Sequence, residues 1–249
     1  MMEWRDAGFV LAARRHGESG VILELLTREH GRHAGLVRGG QSPKTRAMLQ
    51  PGNEVAAQWR GRLAEHLGTF ACEPTGAHAA RMLDDPDRLA GLAAAAALLA
   101  AALPEREPYP EIFASFGGLV AALDSAADWP ERYVCWERDL LAVLGFGLNL
   151  TRCAVTGETT DLGYVSPRTG RAVSRMAGLP YHDKLLPLPE FLWRGSAADG
   201  QQIALGMALT GHFLAHHVFL PQGRALPAAR ARLVERLARE GGSGQRWPG

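Results

Sequence analysis

Val21-Ile22-Leu23-Glu24-Leu25-Leu26-Thr27 is a short apolar run closed by glycine turns, Gly17-Glu18-Ser19-Gly20 before it and Glu29-His30-Gly31 after it. Its length, β-branched start and flanking turn residues read as one strand of a sheet with tight connections. The same pattern recurs on either side. Phe9-Val10-Leu11-Ala12 precedes it, and His33 to Val37, Glu54 to Trp59 and His66 to Cys72 follow. Short strands at this spacing predict a small closed β-barrel at the N-terminal end.

A five-stranded OB-fold is the leading form of that barrel, and an SH3-like barrel fits the strand count almost as well. After Glu73-Pro74 the period becomes helical. Asp85-Pro86 reads as an N-cap followed by proline at N1, opening an alanine-rich helix from Asp87 to Leu103. Ile112, Phe113, Phe116, Leu119, Val120 and Leu123 recur at helical offsets after the break at Pro104 to Pro110. A third helix runs from about Pro130 to Leu144, with Tyr133, Trp136, Leu140, Leu141 and Leu144 inward, and Gly145 and Gly147 stop it. Thr151 to Gly178 reads as irregular, and Gln201 to Phe219 and Ala228 to Glu240 as closing helices. The tail Gly241-Gly242-Ser243-Gly244 reads as flexible. The expected architecture is α+β, with the barrel as domain 1–78 and a helical domain over 79–249.

The 249 residues carry 27 Lys plus Arg and 26 Asp plus Glu, a net charge of +1 that excludes a histone-like polyanion binder. Apolar residues make up 47% and charged residues 21%, an ordinary globular balance. The N-terminus has no apolar signal region, and the uncharged run Leu89 to Pro104 is too short to span a bilayer. The expectation is a cytoplasmic protein with no membrane partner. Charge is unevenly distributed: Arg28 to Arg62 has a net of +5, Arg81 to Leu140 a net of −6, and Leu141 to Gly249 a net of +5. Such a layout suggests units with different partners.

No enzymatic signature stands out. The phosphate-binding loop, the dinucleotide-binding glycine turn and the Gly-x-Ser-x-Gly elbow are all missing. His212 and His216 have the i, i+4 spacing of a zinc pair, but Phe213 stands where a zincin has Glu, so these and His217 read as packing or surface residues. Asp84, Asp85 and Asp87 read as a helix start, and Cys135 as a small core residue. Cys72, Cys135 and Cys153 compose neither a disulfide framework nor a zinc site. The basic barrel is the stronger lead. Arg14, Arg15, Arg28, Arg32, Arg38, Lys44, Arg46, Arg60 and Arg62 are the candidate nucleic-acid contacts, with Gly39-Gly40-Gln41-Ser42-Pro43-Lys44 as a flexible basic loop. Trp4 and Trp59 have the chemistry to stack a base, but read first as core. The predicted binding is dominated by phosphates and sensitive to salt.

Gly17-Glu18-Ser19, Leu26-Thr27-Arg28-Glu29-His30-Gly31, Val37-Arg38-Gly39-Gly40 and Leu49-Gln50-Pro51-Gly52 resemble the N-terminal barrel of the RecO family of bacterial DNA repair proteins. The likeness continues through Leu103-Pro104-Glu105-Arg106-Glu107-Pro108-Tyr109-Pro110, Trp136-Glu137-Arg138-Asp139-Leu140-Leu141 and Leu144-Gly145-Phe146-Gly147-Leu148-Asn149-Leu150. It extends to Tyr164-Val165-Ser166-Pro167-Arg168-Thr169-Gly170 and Leu186-Pro187-Leu188-Pro189. The resemblance implies an OB-fold followed by a helical domain with a zinc-ribbon-like insertion at about 151–178. It implies a non-enzymatic recombination mediator, nucleoid-associated, that binds single- and double-stranded DNA and anneals complementary strands. With RecR, such a protein helps load RecA onto DNA coated by single-strand-binding protein. The acidic C-terminal tail of that coating protein is a further implied partner, for which Arg132, Arg138 and Leu141 on the third helix are the candidate contacts.

One departure bears on metal. Many members place four cysteines in the insertion, starting from a C-x-x-C pair. Here that pair reads Cys153-Ala154-Val155-Thr156, and the later position reads Arg171-Ala172-Val173-Ser174. One thiol is left where structural zinc takes four N/S ligands, so no metal or other cofactor is expected; His182 and Asp183 are not read as substitutes. Two alternatives stand beside this reading: an OB-fold RNA-binding protein, and a protein-binding adaptor without nucleic-acid activity.

Overall fold

The computed structural model describes residues 2–242. Two compact units emerge. The first holds the chain through Ala126 together with Pro227–Arg230, and the second holds Ala127–Leu226 and the rest of the last helix. Helices from the expected 79–249 domain therefore compact with the barrel in the first unit.

The barrel consists of β1 (Met2–His16), β2 (Gly20–Thr27), β3 (Gly31–Val37), β4 (Glu54–Gly61) and β5 (Thr69–Gly76), closed in the order β1-β2-β3-β5-β4. Helix α1 (Pro43–Met48) lies between β3 and β4. Parallel closure of β3 on β5 through Leu36 and Thr69, with that intervening helix, is the OB arrangement. β1 is far longer than the Phe9–Ala12 run suggests, because one strand serves two partners. Residues Met2 to Phe9 pair with β4, Gly8 to His16 pair with β2, and a bulge between Val10 and Ala12 bends the strand from one to the other. The polar ends of β1 hide its length from periodicity. Its centre is continuously apolar because both faces are covered there. Val10 enters the barrel core with Leu23, Leu25, Val55 and Trp59, while Phe9 packs outside against Phe113 and Phe116 at 5.1 and 5.2 Å.

Helices α2 (His78–Arg81), α3 (Pro86–Ala102) and α4 (Pro110–Ser125) complete the first unit. Asp85 caps α3 by accepting from the N–H groups of Asp87 and Arg88, with Pro86 in the first turn. Ala94, Ala95 and Ala96 are fully buried although consecutive residues point to different sides of a helix, so α3 is covered round much of its circumference, packing on β1, β2 and α4. The segment before α4 lies along β3: Arg106 N–H donates to Arg32 O at 2.8 Å, and Gly31 meets the backbone of Glu107. Gly31 combines φ +66 with a position where a Cβ would lie 2.1 Å from Glu107 O, so no other residue fits that turn without movement.

The second unit is built on α5 (Trp129–Val143) and α8 (Gly200–Phe213), which continues as a π turn over Leu214–Phe219. The insertion is more ordered than its composition predicts. It contains β6 (Leu162–Val165) and β7 (Ala172–Ser174), which with β8 (Leu186–Pro187) form a three-stranded sheet ordered β7-β6-β8. Short helices α6 (Arg175–Gly178) and α7 (Phe191–Arg194) follow, and α9 (Ala228–Gly242) closes the described chain. Gly241 and Gly242 thus end α9 rather than a coil, while Ser243 and Gly244 lie outside the described residues. The stretch Gly200–Gln222 is long and apolar enough to cross a membrane by length and composition. Its Ile203, Met207, Phe213, Leu214 and Phe219 are buried within the unit, the pattern of a core helix.

Candidate nucleic-acid interface

The expected flexible loop is a built structure. Gly39-Gly40 turns the chain out of β3, and Ser42 then caps α1, its hydroxyl accepting from Thr45 N–H at 3.2 Å with Pro43 at N1. Gln41 ties this segment to the β1–β2 hairpin by donating its amide to Gly17 O and Gly20 O at 3.1 and 3.2 Å. At the other end Asn53 is buried. It donates to Ala47 O and Met48 O and accepts from Ala79 N–H, which closes the C-terminus of α1. Leu49 sits in the barrel core, so α1 is held as a plug at one barrel end. Lys44 and Arg46 are exposed on this short helix, not on a mobile loop.

Two clefts flank α1. The first, about 210 Å³, is lined by Ala13, Arg15, Val21, Gly40, Gln41, Arg46, Leu49, Gln50 and Pro51. The second, about 510 Å³, is lined by Val37, Arg38, Thr45, Met48, Gln58, Arg60, Thr69, Phe70, Ala71 and Cys72. Neither has a carboxylate in its lining, whereas a further cleft of about 630 Å³ at β1, β4 and β5 carries Asp6, Glu54 and Glu73. Arg15, Arg38, Lys44, Arg46 and Arg62 are exposed and make no ion pair among the described residues. Four other candidate cations are engaged within the unit. Arg14 pairs with Glu24 at 3.0 Å, and Arg60 pairs with Glu3 at 3.0 Å. Arg28 lies over the Phe113 ring at 5.2 Å. Arg32 bonds Glu24 at 3.0 Å and Leu103 O at 2.9 Å, and reaches Glu105 at 3.5 Å; it anchors the loop before α4 to the barrel. Sequence reasoning missed Gln41 and Gln50 because an uncharged amide carries no charge signal.

Trp59 and Phe70 face into the barrel, and Phe9 is covered from outside by Phe113 and Phe116. Trp59 is in the core, with its indole N–H donating to Leu67 O at 3.0 Å. Trp4 is sandwiched, stacked on His30 at 4.1 Å and on Trp59 at 5.8 Å. His30 is held by Asp6, its Nδ1 lying 3.0 Å from the carboxylate. Phe70 lines the second cleft but is only 5% exposed, so the α1 clefts present mainly guanidinium groups and amides.

The third-helix trio is not brought together. Leu141 is fully buried in the core of the second unit and is closed to any partner. Arg132 is exposed and pairs with Asp128 one turn earlier at 2.9 Å. Arg138 alone lines a cleft, of about 540 Å³, with Leu148, Leu150, Thr151, Thr159, Leu192, Trp193 and Arg194. Its guanidinium donates to Leu192 O at 2.8 Å and pairs with Asp139, and Arg194 covers the Trp193 ring at 4.5 Å. Trp193 and Arg194 lie in a segment with no periodicity, which is why the sequence does not single them out.

Cys153 is buried, and the N–H groups of Thr156 and Ser174 point at its sulfur from 3.5 and 3.2 Å. Burial pushes this thiol upward, but the hydrogen bonds from Thr156 and Ser174 outweigh that and bring it down to about 6. The groups facing the sulfur are donors, not metal ligands. No group of three or more His, Cys, Asp or Glu that could hold a metal occurs among the described residues.

A family model described as Recombination protein O N terminal matches residues 1–76, and one described as Recombination protein O C terminal matches residues 83–225. The protein named DNA repair protein RecO from Rhodospirillum centenum is 54% identical over 237 residues, 94% of this chain and 94% of its own length. That from Phenylobacterium zucineum is 54% identical over 242 residues, 96% of this chain and 99% of its own. That from Rhodospirillum rubrum is 51% identical over 246 residues, 96% and 98% respectively. With both parts matched and about half of all positions identical over nearly the whole length, the chain belongs to the RecO family of DNA repair proteins.

Proposed function

We propose that this protein is a recombination mediator that binds single- and double-stranded DNA at the α1 end of its barrel and anneals complementary strands. The observation that carries the reading is the pair of clefts flanking α1, which hold Arg15, Arg38 and Arg46 with no carboxylate in the lining of either; Arg60 also lines the second but is paired with Glu3. Phosphate recognition needs cations on a firm frame, and the Ser42 cap, the Gln41 tether and the Asn53 clasp supply one. Neutralising phosphates on two strands lowers their mutual repulsion, which is what annealing requires. Base pairing then drives the reaction, with no bond made or broken by the protein and no nucleotide hydrolysed. The resemblance to RecO proteins extends the reading to cooperation with RecR in loading RecA, and to a cytoplasmic, nucleoid-associated location. The insertion holds together without zinc in this reading, by its sheet and the hydrogen-bonded Cys153.

The Arg138 cleft suits the acidic tail of single-strand-binding protein. A terminal carboxylate and aromatic side chain match two guanidinium groups over Leu148, Leu150 and Trp193.

The test is annealing of two complementary oligonucleotides, each coated with cognate single-strand-binding protein, with and without this protein and without ATP. Acceleration is expected. The double variant Lys44→Ala/Arg46→Ala should lose affinity and lower the slope of log affinity against log salt by roughly one unit per contact removed. An unchanged slope clears α1 of the role. Competition between DNA and RNA of equal length separates this reading from an RNA-binding one, and absence of any salt-dependent binding favours an adaptor.

A further inference from the structure

The α1 clefts, proposed above to take phosphates, have one largely buried ring, Phe70, at their walls, whereas the second unit has an aromatic cleft that the reading above leaves unused. Phe146 sits between Gly145 and Gly147 in the turn after α5. The residue is 39% exposed, although its backbone is pinned by Phe146 N–H to Leu141 O at 2.8 Å and Gly145 N–H to Ala142 O at 3.0 Å. The ring packs against His217 at 5.5 Å, and His217 stacks on buried Phe213 at 5.6 Å and 12°. His217 belongs to the π turn at the end of α8, an irregularity often found at functional positions. These residues line a cleft of about 190 Å³ together with Arg168 and Thr169. Arg168 is exposed and has no acidic partner among the described residues, and no carboxylate lines the cleft. Gly145 has φ +88 and open space where a side chain would stand, so a ligand can approach the backbone beside the ring.

We propose that this cleft is a second nucleic-acid contact, which takes one unpaired base of a single strand against Phe146 and its flanking phosphate on Arg168. The proposal rests on the DNA-binding reading and extends it. An exposed ring on a rigid turn gives a stacking platform at little ordering cost, and a guanidinium beside it selects an anionic partner. The volume is below that of ordinary ligand pockets, so it suits one planar ring system rather than a peptide or a duplex. A contact that holds a base unpaired serves annealing directly, since a strand must be presented with its bases free.

The test uses the full chain and an oligonucleotide carrying 2-aminopurine, a base analogue whose fluorescence falls on stacking. A matched abasic strand and the free mononucleotide serve as comparisons. Wild type should quench the analogue. Phe146→Ala should abolish the quench and weaken binding of the intact strand about five- to tenfold, with the abasic strand much less affected. Phe146→Trp should retain both properties, which excludes misfolding as the cause, and Arg168→Ala should lower the salt slope by about one unit. Unchanged quench and affinity in Phe146→Ala, while wild type binds with salt dependence through Lys44 and Arg46, overturn this contact and leave the barrel reading intact. Equal weakening on the abasic strand also overturns it, as does a mononucleotide that binds as tightly as the strand. No DNA binding by wild type overturns both readings.

Discussion

His33 is buried inside the barrel, and neither ring nitrogen finds a hydrogen-bond partner among the described residues. Rings surround it, with Trp59 at 5.0 Å and Trp4 at 5.1 Å. Burial, reinforced by the positive charge of Arg106 and the nearby His30, pushes its pKa down to about 4 from 6.5. The fold therefore holds the ring neutral. As pH falls below 6.5 the unfolded chain takes the proton first, and stability declines until the folded ring also titrates near 4. By pH 5 this one group should have removed about 2 kcal/mol. Urea unfolding at pH 7 and pH 5 checks it: His33→Leu should lose clearly less stability than wild type between the two, and equal losses would refute the role. Residue type alone did not reveal this histidine, since burial comes from strands far apart in the chain. Cys153 is the converse. The sequence shows one thiol without zinc partners, but only the folded insertion brings the Ser174 amide to it from 21 residues away.

At the scale of elements, capping chemistry was readable where it opened a long helix and missed where it opened a short one. Asp85-Pro86 announces α3 because an alanine run follows. Ser42-Pro43 carries the same grammar, yet α1 has six residues, too few for periodicity to register. Its stability comes from Leu49 in the core and from the Asn53 clasp, both tertiary. Ser42→Ala should cost about 1 kcal/mol in urea unfolding, the ordinary worth of an N-cap. It should weaken DNA binding with less change in salt slope than the Lys44→Ala/Arg46→Ala variant, because the cations stay and only their frame loosens. A stability equal to wild type would mean that the cap contributes nothing. β1 and the insertion strands were likewise incompletely read. The outer parts of β1 are polar, and β6, β7 and β8 have four, three and two residues, below any alternating signal.

At the scale of the whole molecule, a net charge of +1 conceals separate basic surfaces. One lies around α1, and the Arg138–Arg194 cleft is another. The latter gives a prediction that separates binding from folding. Trp193→Ala or Arg138→Ala should weaken binding of a labelled acidic peptide ending in an aromatic residue and a free carboxylate, read by fluorescence anisotropy. Arg132→Ala should leave it unchanged, because that side chain pairs with Asp128 outside the cleft. Leu141→Ala should instead destabilise the second unit by about 2–5 kcal/mol, as removal of a core side chain does. Full peptide affinity in both Trp193→Ala and Arg138→Ala would place the tail elsewhere.

The amino-acid sequence alone determined the order of barrel and helices, the positions of α3, α4, α5 and α8 to within a few residues, and the family. These follow from local signals: apolar period, turn residues, caps, and motifs in a fixed order. Tertiary structure alone decided which cations remain available. Arg28, Arg32, Arg38 and Lys44 look alike along the chain, yet Arg28 covers Phe113, Arg32 clamps a distant loop, and Arg38 and Lys44 stand open. It also decided that Leu141 is core and that Phe146 meets His217. A side chain's availability depends on what the rest of the chain brings beside it, and such long-range contacts leave no periodic trace in the local sequence.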